Sequence, residues 1–158
     1  MDEHVQRVAD MLTRRGLKVA TAESCTGGLI GDTLTSVPGS STYYEGGVIS
    51  YSNALKQRFL GVTAATLEQY GAVSEETARE MAAGIRDAAG VDIGIATTGI
   101  AGPGGGTPEK PVGLVYIGLA DSDGVSVERH VFDGSRRENK MATCRAALEM
   151  LLDRADHA

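Results

Sequence analysis

Two hydrophobic periods alternate along this chain, and that alternation limits its fold more than any other feature. Residues 3–15 carry Val5, Val8, Met11 and Leu12 on one helical face, and Gly16 closes the helix. Residues 17–23 (LKVATAE) are short, apolar and partly β-branched, a strand. The spacing then predicts a helix over 29–37, ended by Pro38-Gly39, and a strand over 43–52. Short helices over 54–61 and 63–71 each end at glycine, and Ser74 caps a strong helix running to about Ala89. A buried-type strand over 91–99, a glycine-rich loop over 99–113, and two strands over 112–121 and 124–133 follow. Asp121-Ser122-Asp123-Gly124 joins those two strands as a hairpin. A helix over 135–155, with Met141, Cys144, Leu148 and Leu151 as its core stripe, ends the pattern. Helices interleaved with strands predict a three-layer α/β/α sandwich, its sheet mixed, mostly parallel and of about five or six strands. No repeat, linker or composition shift divides the chain, so residues 1–158 are expected to form one domain.

Composition narrows the function. Fifteen Lys+Arg against 21 Asp+Glu give a net charge of −6, without the basic footprint of a nucleic-acid binder. Aromatic residues are 4% of the chain and tryptophan is absent, so base-stacking platforms are scarce. No apolar stretch approaches the ~20 residues needed to span a bilayer. The charged first twenty residues do not read as a secretory signal. These features predict a soluble cytoplasmic protein, with Cys25 and Cys144 as reduced thiols.

Three stretches can carry chemistry. Ala22-Glu23-Ser24-Cys25-Thr26-Gly27-Gly28 lies where a strand yields to a helix, the place where open α/β sheets bind ligands. It offers three nucleophile types beside a helix N-terminus, although Ser24 or Thr26 could serve only as a cap. Tyr51-Ser52-Asn53-Ala54-Leu55-Lys56 ends the second strand. Desolvated there, Lys56 would be a base; exposed, it would be an ordinary surface lysine. Thr97 to Pro111 packs five glycines into eight residues, either a ligand cradle or a surface loop. A Walker A loop is excluded, because no Gly-Lys pair occurs in the chain. His4, His130 and His157 are scattered, which leaves a Ser-His-Asp triad without a supporting motif. The two cysteines and these histidines have no zinc-ligand spacing, so neither metal nor organic cofactor is expected. Nine of the 21 glycines (Gly27-Gly28, Gly46-Gly47 and the five from Gly99 to Gly106) border these stretches, as expected of backbone brought close to a small ligand.

Taken together, Thr21-Ala22-Glu23-Ser24-Cys25-Thr26-Gly27-Gly28, Tyr44 to Asn53 with Lys56, and Thr98 to Gly105 with Lys110-Pro111-Val112-Gly113 closely resemble the CinA C-terminal domain family over residues 5–154. Characterised members of that family are nicotinamide-nucleotide amidases. The resemblance implies hydrolysis of nicotinamide mononucleotide to nicotinate mononucleotide and ammonia. Ser24 matches the family's nucleophile and Lys56 its base. Tyr51 and Thr98 match positions that line the site, and Arg136 matches an arginine suited to bidentate phosphate recognition. Thr26, Gly27, Gly99, Gly102, Gly104 and Gly105 are the further substrate contacts this implies. Backbone N–H groups after Ser24 would hold the oxyanion. The family reading also implies a homo-oligomer. Ser135 and Lys140 depart from the family pattern, Lys140 keeping the charge of the usual arginine without its planar fork. Two other readings stay open. One makes Cys25 a low-pKa nucleophile with Glu23 and Lys56. The other is a non-catalytic nucleotide- or phosphate-binding module.

Overall fold

The structure, a computed structural model, describes residues 2–156; His157 lies outside them. The elements run α1 (Asp2–Arg15), β1 (Val19–Glu23), α2 (Leu29–Thr35), β2 (Tyr44–Ile49), α3 (Asn53–Leu60), α4 (Ala64–Tyr70), α5 (Glu75–Ala89), β3 (Ile93–Gly99), β4 (Leu114–Asp121), β5 (Gly124–Val131) and α6 (Arg136–Asp156). The five strands form one sheet in the order β2-β1-β3-β4-β5. β1 pairs in parallel with both β2 and β3, while β3–β4 and β4–β5 are antiparallel. The expected α/β sandwich with a mixed sheet is therefore present.

Side-chain alternation divides the core into two layers. On one face Val19, Ile93, Ile95, Val115, Ile117 and Leu119 pack against the stripes of α1, α2 and α6. On the other, Ala20, Ala22, Ala96 and Ala120 meet Met81, Ala82 and Ile85 of α5, with Leu60 of α3. This second layer is built from small residues because α5 rests almost directly on the sheet backbone. A Cβ on Gly118 would lie 2.6 Å from the Ala78 carbonyl oxygen, and one on Gly94 would collide with that of Ala82. Two of the 21 glycines thus serve helix–sheet contact. Gly47 also departs from expectation, since its Cβ would run into Thr21 beneath Tyr44 rather than border a ligand.

The connections explain where a site can form. β1 leads to β2 through α2 on one face, and β2 leads to β3 through α3, α4 and α5 on the other. The chain therefore leaves neighbouring parallel strands toward opposite faces. In open α/β sheets such a divergence marks the carboxyl ends of the strands as the place where ligands bind. β2 stops at Ile49, short of the expected 52, because Ser52 already caps α3 by accepting from the Leu55 amide at 3.2 Å.

Candidate active site

Glu23 is the last residue of β1 and lies opposite Ile49 on β2 and Thr97 on β3. The ladder continues one step further: Ser24 N–H donates to the Thr97 carbonyl at 3.0 Å, and Ser50 N–H to the Glu23 carbonyl at 2.8 Å. Alternation then turns Ser24 toward the α3 and α5 face and Glu23 toward α2. Lys56 reaches the same point from the second turn of α3. Its side chain is buried, with 1% of the residue exposed, and its Nζ lies 3.0 Å from Ser24 Oγ. The same nitrogen donates to the Ser50 carbonyl at 2.9 Å and the Tyr51 carbonyl at 3.2 Å. None of these partners is a carboxylate, and burial pulls the Lys56 pKa below its ordinary value. A neutral amine has two N–H bonds for the two carbonyls and a lone pair left for the Ser24 hydroxyl proton.

Helix α2 begins at Leu29, five residues after Ser24, and its N-terminus is already occupied. The buried Glu23 carboxylate accepts from the amides of Gly28 at 3.2 Å, Ile30 at 2.9 Å and Gly31 at 2.9 Å, and from Thr26 Oγ1 at 2.7 Å. This corrects the expectation that the helix end is open to a ligand anion. What remains for an oxyanion is the turn itself. Among the described residues, no backbone acceptor takes the Cys25 or Thr26 N–H. The Thr26 hydroxyl sits 2.8 Å from Thr97 Oγ1 as well as on Glu23, so it braces the turn from behind. Cys25 packs into the α1/α2/α6 layer of the core. Burial pushes its thiol up to about 11, the reverse of the lowered pKa that a cysteine nucleophile requires. Its packing into that layer and its raised thiol both weigh against the Cys25 reading.

The remaining expected residues fall into two groups. Arg136, at the start of α6, donates through Nη1 to the Gly102 carbonyl at 2.7 Å and through Nη2 to the Tyr51 hydroxyl at 3.1 Å. It therefore joins the glycine-rich loop to the segment carrying Lys56. Lys140, one turn later on α6, places its Nζ 3.6 Å from where a Cβ of Gly27 would stand. Of these two cations of α6, Lys140 stands beside the Ser24–Gly28 turn and Arg136 beside Tyr51. Thr98 is buried on the Ser24 face, but its hydroxyl donates to the Ala72 carbonyl at 2.7 Å. Gly99 pairs with Val115 in the sheet. Gly104 and Gly105 are exposed, and around Gly104 nothing lies within 4 Å of a built Cβ, so they stand apart from the buried centre.

With this geometry in view, the chain's relatives can be compared. A family model described as the CinA C-terminal domain matches residues 1–155. The chain belongs to the CinA C-terminal domain family. A CinA-like protein of Chlorobaculum tepidum is 54% identical over 152 residues, covering 93% of this chain and 36% of that protein. The chain spans about a third of the length of the curated relatives it matches. Among solved structures, the competence/damage inducible protein CihA of Agrobacterium tumefaciens is 45% identical with a TM-score of 0.91, over 96% of this chain and 93% of that one. A CinA superfamily protein of Klebsiella pneumoniae has 36% identity and a TM-score of 0.96, over 99% and 98%.

Two residues of this CinA domain escaped the sequence reading. Asn139 is buried on α6, where its Nδ2 donates to the Ala101 carbonyl at 2.9 Å and its Oδ1 accepts from Gly134 N–H at 3.0 Å. It pins the base of the glycine-rich loop, and its only trace in the sequence is its place three residues after Arg136. Ser50 is fully buried beside Lys56, inside a stretch that read simply as strand. In the sequence Glu23 offers only a partner for Cys25, because a carboxylate ending a buried strand carries no motif for capping a helix several residues away.

Proposed function

We propose that this chain hydrolyses the carboxamide of nicotinamide mononucleotide to nicotinate mononucleotide and ammonia through a Ser24–Lys56 dyad and an acyl-enzyme. The observation carrying the reading is the buried Lys56 amine, 3.0 Å from Ser24 Oγ and without a carboxylate partner. Neutral Lys56 takes the hydroxyl proton as Ser24 Oγ attacks the amide carbon. The Cys25 and Thr26 N–H groups stabilise the oxyanion. Collapse of the tetrahedral intermediate breaks the C–N bond, and the nitrogen leaves as ammonia after gaining a proton. Water, deprotonated by the same amine, then hydrolyses the ester. Arg136 and Lys140 suit the phosphate, a role supported by the bond of Arg136 to the Tyr51 hydroxyl and the place of Lys140 Nζ beside Gly27. This chemistry requires no metal, and among the described residues no cluster of His, Cys, Asp and Glu could hold one.

Incubating the purified chain with nicotinamide mononucleotide and measuring ammonia tests the reading. The parent should release ammonia stoichiometric with nicotinate mononucleotide. Ser24→Ala should lose about 10³-fold or more of kcat, on the scale of removing a nucleophile. Full activity in Ser24→Ala would overturn the dyad. Calorimetric binding of the nucleotide by the parent without ammonia release would instead favour a binding module.

A further inference from the structure

Ser50 carries the one buried side-chain polar atom among the described residues that lacks a hydrogen-bond partner, its hydroxyl oxygen. The residue has no exposed surface. An orphaned hydroxyl in a dry interior is destabilising, and native structures keep few of them. Its position is informative. Ala22 pairs with Val48 and Glu23 with Ile49, so the next step of the parallel register sets Ser50 against Ser24. The Ser50 amide bond to the Glu23 carbonyl maintains that register beyond the strand end. On the other side, Glu23 pairs with Thr97, which sets Ser24 against Thr98. Ser50, Ser24 and Thr98 therefore form a row of hydroxyl residues across the carboxyl ends of three parallel strands. Val48, two residues before Ser50, packs into the α3/α5 layer, which puts Ser50 on the Lys56 face. In that row the Thr98 hydroxyl is bonded to Ala72 and the Ser24 hydroxyl to Lys56. The Ser50 hydroxyl alone is uncommitted, although Lys56 Nζ already sits 2.9 Å from the Ser50 carbonyl.

We propose that Ser50 is a second catalytic hydroxyl beside Ser24, the relay that returns the proton from Lys56 to the leaving nitrogen. The inference rests on the amidase reading above. When Ser24 Oγ bonds to the carbonyl carbon, its proton sits on Lys56 as an ammonium, with two N–H groups still on the Ser50 and Tyr51 carbonyls. The third N–H must deliver its proton to the nitrogen as the C–N bond breaks. In the relay, the Ser50 side chain rotates toward Nζ, and its Oγ accepts that proton while its own hydroxyl proton passes to the departing nitrogen. Lys56 returns to the neutral amine, Ser50 remains a hydroxyl, and ammonia leaves with its bonding electron pair. A partner absent from the resting site and supplied by the reaction accounts for the orphaned oxygen.

Ser50→Ala tests this, because relay and packing roles move two readouts in opposite directions. Removing an unpartnered hydroxyl should leave the melting temperature unchanged or raise it. As a relay variant it should lower kcat for ammonia release about 10²-fold with KM unchanged. Ser50→Thr, which keeps the hydroxyl, should recover most of that loss. Reaction of Ser24 with a fluorophosphonate expels fluoride, which needs no proton from the relay, and should proceed at the parent rate in Ser50→Ala. Unaltered kcat in Ser50→Ala would overturn the relay. So would a fall in melting temperature with parallel losses of kcat and fluorophosphonate reactivity. A failure of the dyad reading would appear in the parent instead, as absence of Ser24 labelling, and would overturn both.

Discussion

Lys56 combines two properties that oppose each other in an ordinary lysine: it is almost fully buried, and it faces carbonyls and a hydroxyl rather than a carboxylate. Burial favours its neutral form, and neutrality makes it a base. The pH dependence follows in sign. Its folded pKa lies below the ordinary 10.5, so the folded chain binds fewer protons at this site than the unfolded chain between those two values. Stability therefore rises with pH across that window, and kcat falls as pH drops through the lowered value. A pH profile of kcat should show this acid limb below the ordinary lysine value; a limb at the ordinary lysine value would contradict it. In the sequence, Ser24 and Lys56 were a nucleophile type and a base type near strand ends, each also readable as a cap or a surface lysine, and only the family resemblance paired them. Their distance was not legible, because it depends on a parallel register between segments about 30 residues apart in the chain.

At the level of elements, the nucleophile turn depends on Glu23 standing in for a helix cap. Gly28, the residue before α2, makes no side-chain capping bond, and the Glu23 carboxylate satisfies the first amides instead. Glu23→Ala leaves those amides buried and unpaired, and should lower unfolding free energy by about 2–4 kcal/mol in urea titrations. Activity should fall with it, since the same bonds fix the Ser24–Gly28 turn. Helix and strand positions were largely legible, because stripes such as Val5, Val8, Met11 and Leu12 are buried as their period demands. Hydrogen-bonding economy at the ends was less so. Sequence reading treats a helix N-terminus as available, whereas a carboxylate one strand-end away has claimed this one. The glycines likewise divide by packing. Gly94 and Gly118 admit α5 to the sheet, a tertiary demand that local sequence does not display.

Over the whole molecule, the antiparallel half holds the frame around a parallel half that carries the site. Arg154 near the end of α6 clamps Asp121 at the β4–β5 turn with two bonds, of 2.5 and 2.8 Å. The Arg154 hydrogen bond holds the Asp121 carboxyl below its ordinary 3.8, so its contribution is present above that value and is lost as pH falls through the lowered one. Asp121→Asn should destabilise the fold by about 1–2 kcal/mol at pH 7. The difference from the parent should shrink below about pH 4 in denaturant titrations. The sandwich and its hairpin followed from the alternation of periods, but strand order and the divergence of connections around β1 emerge only when the chain is assembled. That divergence brings Lys56 to Ser24, and through Tyr51 to Arg136, residues spread over more than 100 positions of the chain. The central claim is that Ser24, activated by Lys56, is the nucleophile. Peptide mapping of the fluorophosphonate adduct tests it most directly. The adduct should fall on Ser24 in the parent and in Cys25→Ala, and be lost in Lys56→Met. An adduct on Cys25, or undiminished Ser24 labelling in Lys56→Met, would contradict the account.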